Sequence, residues 1–403
     1  MPTDTQPVAV QIGAGNIGRG FTAELFAAAG YRVVFIDVDD RIVDALRRRR
    51  AYEIHHITND GHQTVRIEAA GAVNGRDTDH AARTIAEAAL ACTAVGVRAL
   101  AAVAPALAAG LARRLSRGGR PLNIITCENL VGAGKHLADL VWMELERLVA
   151  AGNCAAVTRD AFDARFGFVE AVVSRMVPVV PDDVRRRDPL WVACEPYARL
   201  PVDATAFRGS PPELPGLEPV ENILAYQSRK LASHNMSHAV CAYRGYRAGH
   251  EFIWQAMADA AVADEVRAAM TETGRALCSR FGFAAGVQHA YEDDLLERYR
   301  NRALGDQVAR VAADPLRKLG PDDRLVGSAR LCLAEGVEPA HVAGGIRAAL
   351  RYDHPADPSA VRLQEMLREG GRQRVLQEVC GLSPGEPLWD ALMTEPPQGA
   401  ESR

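Results

Sequence analysis

The chain has 403 residues, more than one hydrophobic core ordinarily serves, so two domains are expected. Hydrophobic residues make up 48% and charged residues 24%, with a net charge of −4; this is ordinary for a soluble globular protein and gives no sign of a nucleic-acid partner. No run of 18 uncharged apolar residues suggests a membrane span, and the polar start "MPTDTQP" is not a signal peptide, so a cytoplasmic location is expected.

Residues 8–12, "VAVQI", read as a buried strand. "GAGNIGRG" follows, then a helix carrying Phe21, Leu25 and Phe26 at helical spacing, with Gly30 as its stop signal. "YRVVFIDVD" gives a second strand from Val33 to Ile36 that ends at Asp37. Strand, glycine turn, helix and strand make a Rossmann unit. Gly13 permits the tight turn, Gly15 lets a pyrophosphate approach the backbone, and Gly18 allows close helix packing. Asn16 and Ile17 complete the turn, and the helix N-terminus offers N–H donors to phosphate. Asp37 is placed to accept the ribose hydroxyls and would repel a 2′-phosphate, which favours NAD over NADP.

The basic run Arg47–Arg50 follows Ile42, Val43 and Leu46, and is expected to be the solvated C-terminal end of a helix. "ACTAVG" ends in a small-residue loop at Val95 and Gly96, of the kind that lies near a nicotinamide. "LNIITCEN" runs a strand into Asn129, which is either a site residue beyond a strand end or the cap of the next helix. The eight scattered cysteines form no CxxC pair, so reduced thiols are expected rather than disulfides or a zinc site.

Residues 201–219 are rich in proline and glycine and read as an irregular crossing near a domain boundary. The expected domains are therefore 1–200, an α/β doubly wound nucleotide-binding unit, and 201–403, a mostly α-helical unit with helices over 223–231, 252–270 and 287–299. Within the second lies "RKLASHNMSH". On a wheel at about 100° per residue, with Lys230 at zero, His234 falls at about 40°, His238 at about 80° and Asn235 at about 140°. All four share one arc, which Leu231 also enters, so the helix is expected to be partly buried. A lysine flanked by neutral hydrogen-bonding groups suits a general base; a solvated face with an incidental histidine pair is the plain alternative. A metal is disfavoured, because no acidic ligand accompanies His234 and His238 on the helix.

"IGAGNIGRGF", "NIITCENLVGAG", "FRGSPPELPGLEPVENILAYQSRKLASHNMSHAVCAYRGYRAGH" and "DPLRKLGPDDRL" resemble the polyol-specific long-chain dehydrogenases of the mannitol dehydrogenase family, from about residue 8 to residue 380. The resemblance implies a metal-free, NAD-dependent enzyme with its active site in the cleft between a Rossmann and a helical domain. It implies that Lys230 is the base, that Asn129 and Asn235 hold the alkoxide, and that His238 bonds a substrate hydroxyl. Arg310 and Lys318 would line the polyol site and suit a phosphorylated substrate; His234 has no role in the pattern. The implied reaction interconverts a hexitol phosphate and a ketose phosphate, mannitol 1-phosphate and fructose 6-phosphate, in a monomer or weak oligomer. The chain departs from the family at Ser174 (an aspartate), at Gln227 and Ser228 (an acid), and around Ser328 (a proline). An unphosphorylated polyol, a sugar acid or a modified sugar phosphate is therefore a second reading, and a non-catalytic NAD-binding sensor a third.

Overall fold

A computed structural model describes residues 6–178 and 180–394. The chain divides into two compact units at Leu224/Ala225 rather than at residue 200.

The first unit is built on eight strands: β1 (Val8–Ile12), β2 (Arg32–Asp37), β3 (Ala51–Thr58), β4 (Gly61–Asn74), β5 (Leu90–Thr93), β6 (Leu122–Thr126), β7 (Phe166–Glu170) and β8 (Val192–Cys194). Their order is β7-β6-β5-β1-β2-β4-β3-β8. The six strands from β4 to β7 are parallel and have the order of a doubly wound dinucleotide fold. β1 lies at the centre because both of its faces are covered. Val10 and Ile12 pack with Leu107, Leu111, Ile124 and Leu137, while Ala9 packs on the other side with Phe21, Phe26, Val33 and Phe35. The apolar helix stretch Val97–Ser116, long enough by composition to cross a membrane, buries Leu100, Ala104, Leu107, Ala108 and Leu111 in this core.

Two features depart from expectation. β3 and β4 form an antiparallel hairpin, Thr58 paired with Gly61, and β8 joins its far edge beside β3. The domain boundary also moves. Strands β9 (Leu200–Asp203) and β10 (Leu217–Val220) pair with each other, and Arg208 N–H donates to Asn123 Oδ1 at 2.8 Å, so residues 201–224 belong to the first unit. The arginine run ends a helix as expected: Asp39 caps Asp40–Arg49, and Arg50 closes it at φ 54°. Arg47 Nε reaches the Ala72 carbonyl at 2.9 Å, and Arg49 pairs with Asp188 at 2.7 Å.

In the second unit every regular element among the described residues is helical. Met236–Arg247 crosses Ala340–Leu350 closely; a Cβ on Gly345 would fall 2.5 Å from Val240 Cγ2, so no larger residue fits at that crossing. The expected helix over 252–270 is two helices, Ile253–Ala256 and Ala260–Phe281. Asp259 separates them by turning its carboxylate back to cap the second, accepting the Ala261 N–H at 3.0 Å.

Candidate active site

The glycine turn follows β1 in the first unit. Gly13 has φ 91°, and a Cβ there would fall 2.4 Å from the Ala94 carbonyl oxygen. A Cβ on Gly18 would fall 2.0 Å from the Gly13 carbonyl oxygen, so Gly18 is required by the turn itself. Nothing lies within 4 Å of a Cβ on Gly15, which leaves that backbone open to a ligand. The helix beyond does not begin as an α-helix. Gly18–Thr22 is a π-turn, with the Ala23 N–H bonded to the Gly18 carbonyl five residues back. Its carbonyls are taken from outside. Tyr52 Oη donates to Arg19 O at 2.7 Å, and Arg175 Nη1 donates to Gly20 O at 2.7 Å. Arg175 also pairs with Glu24 at 2.5 Å, and His56 lies 3.1 Å from the same carboxylate. Burial would raise the Glu24 pKa, but His56 and Arg175 together hold it below the usual range.

Asp37 stands at the tip of β2, as expected. One carboxylate oxygen accepts the Ala14 N–H at 2.6 Å and the other accepts the Asp39 N–H at 2.9 Å, which fixes the acid against the glycine turn. The loop at Val95 and Gly96 is held by a residue that sequence reasoning missed. Glu128 is buried, and its two oxygens accept the Val95 N–H at 3.0 Å and the Gly96 N–H at 2.8 Å. A buried acid immediately before Asn129 in "TCEN" was the available signal. Asn129 does not cap the following helix: Gly132 occupies the N-cap of Ala133–Ala150, and Glu170 accepts the Ala133 N–H at 2.8 Å. Ser174 is buried in the segment that Arg175 anchors.

In the second unit, "RKLASHNMSH" is split by a second π-turn. Lys230–Asn235 is π-helical, between the α-helices Ile223–Arg229 and Met236–Arg247. A π-turn closes five residues back instead of four, so each residue steps round the axis by less than in an α-helix. Lys230 and His234 are thus better aligned than the α-helical wheel suggests. The face is not a solvated patch. His234 is buried, and Lys230, Asn235 and His238 are half-buried. The turn is pinned just before it begins: the Arg229 guanidinium lies 4.5 to 4.8 Å from the ring centres of Tyr226, Phe283 and Tyr291. Farther along, Tyr299 Oη donates to the His234 carbonyl at 2.8 Å, and Ser237 Oγ donates to Ser233 O at 2.5 Å.

His238 stacks on Tyr299, with ring centres 4.8 Å apart, and its Nε2 lies 2.9 Å from Asp306 Oδ2, in contact but off the hydrogen-bond line. Asp306, another unpredicted member, also accepts from Arg310 Nε at 2.9 Å. Burial would raise its pKa, but His238 and Arg310 hold it below the usual range. Arg310 is thus tied to Asp306, whereas the Lys318 side chain, in a residue 4% exposed, forms no ion pair among the described residues. Burial, with Arg324 and Arg317 nearby, pushes the Lys318 pKa down to about 8. His234 is held well below the ordinary histidine range, first by burial and then by the charges of Arg298, His238, Lys230 and Arg324.

Among the described residues, no group of three or more His, Cys, Asp or Glu is placed to hold a metal ion, and all eight cysteines are free.

The Mannitol dehydrogenase Rossmann domain matches residues 7–216, and the Mannitol dehydrogenase C-terminal domain matches residues 222–381. The chain is 38% identical over 381 residues to the mannitol-1-phosphate 5-dehydrogenase of Brevibacillus brevis, covering 94% of this chain and 95% of that one. It is 37% identical over 382 residues to the enzyme of the same description from Bacillus subtilis, covering 94% and 97%. Among solved structures, the Pseudomonas fluorescens mannitol 2-dehydrogenase ternary complex with NAD and D-mannitol matches with a TM-score of 0.72 at 20% identity, over 96% of this chain and 91% of that one. At that identity the likeness bears on the fold.

Proposed function

The chain belongs to the mannitol dehydrogenase family, and on that premise we propose that it is an NAD-dependent dehydrogenase interconverting mannitol 1-phosphate and fructose 6-phosphate. The observation that carries this reading is the full-length likeness to mannitol-1-phosphate 5-dehydrogenases. Lys230, Asn129, Asn235 and His238 stand where the resemblance of the motifs puts the catalytic set.

Asp37 and the open backbone at Gly15 would hold the dinucleotide, with Asn16, Ile17, Val95 and Gly96 lining it. NAD supplies the hydride acceptor when bound. Lys230 takes the hydroxyl proton as the hydride leaves the carbinol carbon. The side-chain amides of Asn129 and Asn235 donate to the oxygen as its charge builds, the role an oxyanion hole plays in acyl transfer. His238, backed by Asp306, orients a neighbouring substrate hydroxyl. Arg310 and Lys318 supply positive charge toward the anionic end of the substrate.

Assaying NADH oxidation against fructose 6-phosphate, fructose and a panel of ketoses and sugar acids tests the reading. Turnover is expected with fructose 6-phosphate in preference to fructose. Turnover confined to an unphosphorylated ketose or a sugar acid would replace this substrate with another of the same family, a reading that the buried Ser174, standing where an acid is usual, would favour.

A further inference from the structure

We propose that Tyr299 is a positioning residue for the reaction: its ring fixes the plane of the His238 imidazole, and through it the grip on a substrate hydroxyl. The proposal rests on the reading above that His238 touches the substrate, and adds the residue that holds it in place.

A histidine side chain does not fix its own ring. Rotation about its last torsion is broad, so a helical backbone places the imidazole but leaves its plane open. His238 stands in the first turn of Met236–Arg247. Two neighbours from other elements close that freedom. Asp306 Oδ2 lies 2.9 Å from Nε2, at one edge of the ring. Tyr299 lies against one face, with ring centres 4.8 Å apart and planes within 10° of parallel. An acid at one edge still lets the ring rock about that contact. A parallel ring against the face does not.

Tyr299 suits this task because it is itself fixed at both ends. Its backbone closes the helix Ala285–Tyr299, and the residue is 2% exposed. Its hydroxyl donates to the His234 carbonyl at 2.8 Å and lies 2.9 Å from Ser237 Oγ. That carbonyl belongs to the π-turn Lys230–Asn235. About three turns earlier on the same face of its helix, Gln288 Nε2 donates to Ser233 Oγ at 3.0 Å. One helix thus splints the turn at two points, and the residue at the second point carries the His238 ring. The turn holds Lys230 and Asn235, and the helix after it holds His238. A single side chain therefore keeps the segment of the base and the hydroxyl contact in one register. A tyrosine kept only to fill the core accounts for the burial and the bonded hydroxyl, but gives no energetic coupling to His238.

The test is a double-mutant cycle on the full-length enzyme, using Tyr299→Leu, Tyr299→Phe, His238→Ala and the two double variants. It is read as kcat and KM for fructose 6-phosphate, with NADH affinity and thermal midpoint reporting on folding. Tyr299→Leu should raise KM about tenfold, the loss of one well-aligned hydrogen bond. Tyr299→Phe keeps the ring and should hold KM within about twofold of the wild type, while the thermal midpoint falls because the His234 carbonyl loses its donor. In the His238→Ala background, Tyr299→Leu should raise KM no further. A folded Tyr299→Leu enzyme with wild-type KM would overturn the proposal. So would Tyr299→Phe rising as far as Tyr299→Leu, or Tyr299→Leu acting equally in both backgrounds; fructose 6-phosphate turnover would still stand in either case. If Tyr299→Leu fails to fold, Tyr299→Met, closer in volume, takes its place in the cycle. If fructose 6-phosphate is not turned over but another ketose or a sugar acid is, the cycle is run on that substrate. Coupling there keeps the positioning role and drops the substrate reading.

Discussion

The molecule has two π-turns, and they are finished differently. The first, Gly18–Thr22, is wholly buried, and its exposed carbonyls are met by Tyr52 and by an arginine from a distant segment. The second, Lys230–Asn235, has its backbone met by Tyr299 and Ser237, but the Nδ1 of its buried histidine has no partner. In the first, outside side chains close the backbone; in the second they do so too, and Gln288 also donates to Ser233 Oγ at 3.0 Å, but the buried imidazole keeps an unmet nitrogen. A π-turn strands backbone groups wherever it occurs, so both need outside donors. What remains unsatisfied after that marks where a ligand is expected.

The contrast can be broken most sharply at Lys230. Lys230→Ala should lower turnover by about 10²- to 10⁴-fold, the usual contribution of a general base, with NADH affinity unchanged. Near-normal turnover would remove the catalytic meaning of the second turn. The first turn should respond in stability instead. Arg175→Met removes a buried donor shared by Glu24 and the Gly20 carbonyl and should cost about 3–5 kcal/mol, read as a lowered urea midpoint. An unchanged midpoint would mean that the turn holds itself together.

The smallest effect concerns His234. Its pKa is depressed in the folded chain, so below the ordinary histidine value of 6.5 the unfolded chain binds a proton that the folded chain does not. Its contribution is therefore unfavourable at acid pH, fades as pH rises, and is gone above about 6.5. His234→Gln should flatten the dependence of the thermal midpoint on pH between about 5 and 6.5; an unaltered slope would show that the imidazole is not held neutral.

Gly13 and Gly18 of the first turn were legible in the sequence because each answers a steric demand, as their close approaches show, whereas Gly15 meets nothing within 4 Å. Asp37 and the helical character of the second unit were legible for similar reasons of position and periodicity. The β3–β4 hairpin was not: "AYEIHHIT" mixes polar and apolar residues, and β4 is long because it pairs with β3 over one part and β2 over another. The π-turns escaped because a wheel presupposes the α-helical step. Glu128 and Asp306 escaped because an acid that meets a backbone loop or a histidine only in three dimensions leaves no spacing to read. The break at Asp259 could have been read as an N-cap ahead of an apolar run.

Arg175 meets Gly20 across 155 residues of chain. As the chain is synthesised, its glycine loop exists long before the arginine that secures it, and β8 must also arrive before the sheet edge at β3 is covered. Contacts of such sequence separation form late, after their loop-closure entropy has been met. The nucleotide pocket is thus encoded first and completed among the last, and a nascent chain that ends before residue 175 carries the signature without the lock.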